Sequence, residues 1–328
     1  MQKTAGLIKK KALELLENGT VTRVLAWSRS EDFIYEVSPT FFTKDNLDDM
    51  IYDSFCAANL SKYLIKACKE QEEGKLLVVL KPCDTYSFNE LLCEHRIDRN
   101  KIYVLSVPCT GMIDHEKLSK RGFSCVSKVI DKGDSFDVFS LDGEESVGKT
   151  DIIYEKCLCC KGGEPVAFDE KLELEGEPFA ASQDRFAEVE KLESMTPDER
   201  FAFWQNELSK CIRCNACRNV CPACSCMKCV FDNPNSGVAS KANDDSFEEK
   251  LFHIIRAFHV AGRCTDCGEC SRVCPQGIPI HLLNRKFIKD INSIYGEYQA
   301  GFDPASRAPL VNYRNEDAEP SIVEERGN

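Results

Sequence analysis

CIRCNACRNVCPACSCMKC, residues 211–229, puts seven cysteines into nineteen positions. Three demands compete to explain such crowding: a disulfide framework, a zinc site and an iron-sulfur cluster. The rest of the chain narrows the choice. The sequence has 328 residues, 20 of them cysteine, and 43% hydrophobic content, enough for two cores rather than one. Its start, MQKTAGLIKKKALELLENG, reads as an amphipathic helix without the continuous apolar segment of a secretory signal. The longest pure aliphatic run, LLVVL at 76–80, is far too short to span a bilayer. A soluble, cytoplasmic protein with no integral membrane segment is therefore expected. Structural disulfides are rare in that compartment, so the thiols point to metal or redox chemistry. The formal charge of −12, with no basic run, argues against a nucleic-acid partner.

Spacing separates iron from zinc. Cys211, Cys214, Cys217 and Cys221, followed by Pro222, form CxxCxxCxxxCP, the run found in bacterial two-cluster ferredoxins. Zinc ribbons present two separated CxxC pairs, one per knuckle, whereas three thiolates on one tight loop suit a cubane. Cys264, Cys267, Cys270, Cys274 and Pro275 repeat the run, every position offset by 53 residues. In such pairs the fourth cysteine of each run ligates the other cluster. One 4Fe-4S cluster is thus expected on Cys211, Cys214, Cys217 and Cys274, and a second on Cys264, Cys267, Cys270 and Cys221. Neither half is complete alone, so residues 196–300 are expected to fold as one helical, ferredoxin-like unit.

The flanks agree. TPDERFAFWQNELSK (196–210) has Thr196 as N-cap, Pro197 at the first helical position and Glu199 closing a capping box, with Phe201, Trp204 and Leu208 on one face. SFEEKLFHIIRAFHVAG (246–262) repeats the design with Ser246 and Glu249, and stops at Gly262. IPIHLLNRKFIKDINSIYG reads as a closing helix. His253, His259 and His281 fall in these helices, where a packed or solvated histidine is favoured over a ligand.

Residues 1–160 have α/β texture around a mostly parallel sheet. VTRVLAW and FIYEV are strand-like, DNLDDMIYDSFCAANLSKYLIKACKEQEEG (45–74) is a long helical stretch, and KLLVVL, a helix, then KIYVLSV make a strand-helix-strand unit. Both strands of that unit end in cysteine, Cys83 in KPCD and Cys109 in PCTG. A right-handed crossover puts both carboxyl ends on the sheet edge where ligands bind. EKCLCCKGGEP adds Cys157, Cys159 and Cys160, and its Gly-Gly allows a tight turn. Cys83, Cys109, Cys157 and Cys160 make a candidate third 4Fe-4S site, with Cys159 as a substitute; reduced buried thiols, alone or near a flavin, are the competing explanation.

Cys224, Cys226 and Cys229 follow the first run too closely for an independent fold. They are either a further cluster site completed by an outside ligand or a lining around the second cluster. Cys56, Cys68, Cys93 and Cys125 lack paired spacing and are expected in the core. GEESVGKT at 143–150 matches GxxxxGK[ST], yet DIIYEKC after it is β-like and Glu144 and Glu145 would repel phosphate. A turn between strands is the better reading. Residues 161–195 read as an acidic linker with one short helix, and 301–328 as an extended or disordered tail.

KPCDTYSFNELL, KIYVLSVPCTGMID, KCLCCKGGEP, FAFWQNELSKCIRCNACRNVCPACSC and AGRCTDCGECSRVCPQGIP together resemble 4Fe-4S dicluster beta subunits of the deazaflavin-dependent hydrogenase/dehydrogenase, or formate dehydrogenase beta, type. The likeness runs from about residue 70 to 300. CPACSC is also similar to sulfhydrogenase beta and anaerobic sulfite reductase A subunits. The resemblance implies an electron-carrying subunit that docks on a catalytic or flavin-bearing partner, in complexes of the formate dehydrogenase, hydrogenase or heterodisulfide reductase kind, in anaerobic metabolism. Some deazaflavin-reducing relatives carry FAD; here the cluster motifs are C-terminal rather than N-terminal. No Ser/His/Asp set or paired carboxylate stands out, so no bond-making chemistry is assigned to the chain. Two alternatives accompany the relay: an FAD-containing reductase acting on a soluble carrier, and a zinc-stabilised interaction module.

Overall fold

The computed structural model describes residues 2–161, 163–173, 181–233, 246–306 and 308–311. The chain divides into two compact units, Met1–Phe88 with His95–Asp184, and Asn89–Glu94 with Arg185–Asn328.

The first unit opens with α1 (Gln2–Glu17), then β1 (Val21–Arg29) and β2 (Val37–Phe42), which pair antiparallel. The chain continues through α2 (Leu64–Glu70), β3 (Lys75–Leu80), α3 (Pro82–Cys93) and β4 (Ile102–Ser106). β3 pairs parallel with both β1 and β4, and the two-residue β8 (Glu170–Lys171) adds to β4, giving the order β2-β1-β3-β4-β8. Leu76, Leu77, Val78, Val79 and Leu80 are all fully buried, as a central parallel strand covered on both faces requires. β2 contains Pro39, which an edge strand tolerates because one row of its N–H groups is unpaired. Beyond α4 (His115–Lys120), β5 (Lys128–Asp131), β6 (Ser135–Ser140) and β7 (Gly143–Gly148) form a small antiparallel sheet, and two one-turn helices follow, α5 (Lys149–Ile152) and α6 (Glu155–Leu158).

Three local expectations give way. FIYEV (33–37) is a turn up to Glu36, and the strand, β2, begins only at Val37. The stretch 45–74 is not one helix. Residues Lys44–Asp49 make a short 3-10 turn and α2 is confined to Leu64–Glu70. Between them Ile51 N donates to Trp27 O at 2.8 Å, and the buried Lys81 ammonium donates to the carbonyls of Cys56 and Ala58 at 2.9 and 3.0 Å. Those tertiary bonds hold the segment open where helix propensity alone would close it. GEESVG is itself a strand, not a turn between strands, and the following residues coil into α5 and α6 rather than continuing as β. The pattern thus has no free loop to wrap a phosphate.

The second unit is helical: α7 (Ala187–Glu193), α8 (Pro197–Ser209), α9 (Ala216–Val220), α10 (Ser246–Val260), α11 (Glu269–Arg272) and α12 (Ile280–Tyr295). The Thr196 capping box is present, with Glu199 N donating to Thr196 Oγ1 and Thr196 N donating to Glu199. The side chains of Ser246 and Glu249, and residues 312–328, lie outside the described residues. α10 packs against α8 and α12, and α9 against α11. Leu208 is buried, whereas Phe201 of the same expected face is 62% exposed and lies under Lys250. Among the described residues no helix is long and apolar enough to cross a membrane.

Candidate iron-sulfur centres

The duplicated runs are duplicated in backbone as well as in sequence. Arg213 and Asp266, each preceding the second cysteine of its run, have φ of 54° in both copies. Asn215 and Gly268, each following that cysteine, have φ of 61° and 69°. α9 and α11 then begin at the equivalent residues Ala216 and Glu269. Left-handed backbone costs a non-glycine residue about 1–2 kcal/mol, and three such residues hold it here. Alternating right- and left-handed residues turn successive N–H groups toward one point, the nest that receives anions and iron-sulfur clusters. Arg213 N lies 3.4 Å from Cys211 Sγ, the first bond of such a nest.

Different side chains pin the two loops. Asp266 is almost wholly buried and receives Arg185 Nε at 2.7 Å and Arg285 Nε at 3.1 Å. Arg213 instead lies over the Phe252 ring, 4.0 Å from its centroid. Glu94 bonds both Ser225, beside the first run, and Arg263, which precedes Cys264.

The sulfurs meet across the repeat. Cys274 packs in one buried group with Cys217, Cys270 and the partly buried Cys211, while Cys221 packs with Cys264 and Cys224 in another. Burial pushes the Cys217 thiol up; Arg256 opposes this, and Cys274 and Cys214 add to it. Burial likewise raises Cys270, against Arg256 and with Cys267 and Cys264. None of the twenty cysteines is joined in a disulfide. Among the described residues, no three Cys, His, Asp or Glu side chains converge on a single metal-ion position.

Buried polar atoms without partners lie among these sulfurs, the arginine ones being donors. α10 carries His253 and Arg256, one turn apart. His253 is 1% exposed, with Nε2 3.2 Å from Cys211 Sγ and Nδ1 unpartnered; burial, then Arg256 and Arg213, lower its pKa to about 3, so it is neutral. Arg256 Nε and Nη1 are also buried and unpartnered. Orphaned polar hydrogens are costly unless an acceptor occupies the site. Thiolate ligands, inward amides and orphaned donors together fit an iron-sulfur cluster.

In the first unit Cys83 lies in the opening turn of α3 and Cys109 just past β4. Burial raises both thiols, Cys109 to about 12, with Cys157 and Cys160 acting on Cys109, and Asp84, Cys109 and Cys160 on Cys83. Met112 N approaches Cys157 Sγ at 3.4 Å, and the Gly111 amide donates to Cys109. The four sulfurs expected to meet therefore share one neighbourhood, where Lys81 and Lys156 supply cations. Lys81 forms a fully buried pair with Asp84 at 2.8 Å. Cys159 donates to the Glu155 carboxylate at 3.2 Å and to Asp184 O at 3.6 Å. Gly162 of the expected Gly-Gly turn is outside the described residues.

The remaining thiols diverge. Cys224 is hydrogen-bonded to Cys221, Cys229 packs on the group containing Phe231 and Phe252, and Cys226 is exposed. Cys56 and Cys68 are buried as expected, Cys93 is half-buried, and Cys125 is exposed in a turn with φ 46°. Sequence reasoning missed Arg256, Glu94 and the Lys81–Asp84 pair. Only the last left a signal, two opposite charges three residues apart around Cys83.

These features define an iron-sulfur protein of the electron-transfer class. The family described as 4Fe-4S dicluster domain matches residues 207–278. Over most of its length the chain is similar to the F420-dependent formate dehydrogenase subunit beta of Methanocaldococcus jannaschii, with 26% identity covering 91% of this chain and 92% of that relative. It is 24% identical to the F420-dependent formate dehydrogenase 1 subunit beta of Methanococcus maripaludis, covering 88% of each chain. The Putative ferredoxin-3 of Sinorhizobium fredii is 34% identical over 22% of this chain and 70% of its own.

Proposed function

We propose that the chain is the electron-relaying subunit of a cytoplasmic oxidoreductase complex of the formate dehydrogenase type, docked on a catalytic or flavin-bearing partner. The meeting of Cys274 with the first run and of Cys221 with the second carries this reading. It is supported by the similarity to formate dehydrogenase beta subunits along most of the chain. In this reading Cys211, Cys214, Cys217 and Cys274 hold one cluster, and Cys264, Cys267, Cys270 and Cys221 the other. Cys83, Cys109, Cys157 and Cys160 hold a third, with Lys156 as the cation beside its thiolates and the neutral Lys81–Asp84 pair next to Cys83. When bound, the clusters supply one-electron transfer. The chain's residues fix their spacing, donate N–H groups to sulfur and exclude water. A fourth cluster at Cys224, Cys226 and Cys229 has less support, because Cys224 and Cys229 pack in different groups.

The test is metal content and EPR on anaerobically purified protein. At four irons per cluster, about eight irons per chain means the ferredoxin pair alone, about twelve adds the third site and about sixteen the fourth. A colourless protein with zinc and no reduced-state EPR signal would overturn the relay in favour of the zinc-stabilised module.

One observation favours FAD in the first unit as a second reading. A cavity of about 450 Å³ there is lined by Lys3, Arg29 and Lys128, by the carboxylates Asp53 and Asp131, of which Asp53 pairs with Arg29, and by the apolar Phe55 and Val129; in this reading Lys3 and Lys128 meet the phosphates and the apolar wall the ring of an aromatic group. Denaturation releasing about one flavin per chain would support a flavin reductase acting on a soluble carrier; no flavin after anaerobic purification with FAD present removes it.

A further inference from the structure

α10 delivers a charge into the sulfur-lined interior of the C-terminal unit. Arg256 is 2% exposed. Its Nη2 reaches Cys217 O at 3.3 Å, and its Nε and Nη1 have no partner. Among the described residues, the buried carboxylates of this unit are engaged elsewhere, Glu269 with Arg272, Asp266 with Arg185 and Arg285, and Glu90 beside Glu94 and Arg263. What surrounds the guanidinium is sulfur. Its charge acts on Cys224, which follows the first run, on Cys217 and Cys221 of that run and on Cys270 of the second, and it also donates to the Cys224 sulfur. A guanidinium is never neutral in a protein, so a permanent cation sits where the two runs meet.

We propose that Arg256 is the shared counter-charge of the cluster pair, donating from its unpartnered Nε and Nη1 to cluster sulfur and holding the reduction potentials of both clusters up. This rests on the reading of the two runs as cluster ligands. Each cluster gains one negative charge when it takes up an electron, and a fixed cation nearby stabilises that reduced state in a medium of low dielectric. Hydrogen bonds to sulfur and the net charge of the surroundings are the levers by which a protein sets a cluster's potential. Most single residues can touch only one cluster. Arg256 influences cysteines assigned to both, so its loss shifts the pair together. Arg256 is a positioning and tuning residue; it takes no part in electron transfer itself.

The experiment is EPR-monitored redox titration of anaerobic full-length protein, with iron content and circular dichroism measured on the same samples. Arg256→Met keeps the volume and removes the charge and the donors. With iron content and helicity at the parent level, the equilibrium constant for reducing each of the two clusters is expected to fall tenfold or more, a downward shift of about 59 mV or larger for a one-electron couple. Unchanged midpoints, or a shift confined to one cluster, overturn the proposal. Should Arg256→Met lose iron, Arg256→Lys decides. Iron at the parent level, with both constants within about threefold of the parent, supports the shared counter-charge; iron loss from this variant as well overturns it. Absence of iron from the parent protein is a different result, because it sinks the ligand reading itself.

Discussion

Cys83 and Glu90 share one helix and face different chemistry. Cys83 lies beside the buried Lys81–Asp84 pair and the sulfurs of Cys109 and Cys160. Replacing it with alanine is expected to remove about four irons per chain while the reduced-state EPR spectrum of the ferredoxin pair stays as in the parent; an unchanged iron count removes the third site. Glu90 is buried, and burial together with Glu94 raises its pKa from 4.5 to about 8, against the opposing Arg263 and the Gly301 amide. A carboxyl whose folded pKa is raised contributes stability that is fully present below its unfolded pKa and is lost as pH rises through the folded one. The loss therefore falls between about pH 4.5 and 8. Glu90→Gln should match the parent in thermal midpoint at pH 4 and exceed it by several degrees at pH 8.5. Equal midpoints at both pH values would show that Glu90 is not buried as a neutral acid.

At the scale of elements, the cysteine loops were legible and much around them was not. Cluster ligands on one loop need fixed local spacing, so Cys211 to Cys221 and Cys264 to Cys274 announce themselves without any tertiary knowledge. The entry to α8 was equally readable, because Thr196, Pro197 and Glu199 act within one turn. Thr196→Ala is expected to cost about 1 kcal/mol in chemical denaturation of the anaerobic protein; no loss would mean the cap is redundant with packing against α10. The segment 45–74 was misread because what opens it, the Trp27 carbonyl and the Lys81 ammonium, is contributed from elsewhere in the chain. Arg256 was invisible for a similar reason. Within FHIIRAFHV it looks like the polar side of an amphipathic helix, and only the folded unit shows that sulfur covers it. Cys125, expected inside, is exposed in a turn where it adopts a positive φ.

For the whole molecule, the cysteines replace part of a hydrophobic core. Cys217, Cys270 and Cys274 are buried in the group that includes Leu208, Phe231, Phe252 and Ile278. Removing iron by a chelator with mild oxidant should therefore loosen the C-terminal unit, and limited proteolysis is expected to cut within residues 185–295 before it cuts the β1–β4 sheet. Cleavage that starts in the sheet would show that the clusters are ornaments on an independently stable helical fold. With a formal charge of −12, further lowered by thiolate-bound clusters, the surface is suited to a basic partner and to association that weakens with salt. The two cysteine loops bend alike, yet a carboxylate clamped by two arginines holds one and a guanidinium resting on a phenyl ring holds the other. Copies anchored by different contacts are no longer interchangeable: the repeat survives in the curve of the chain and is lost in the side chains that hold it.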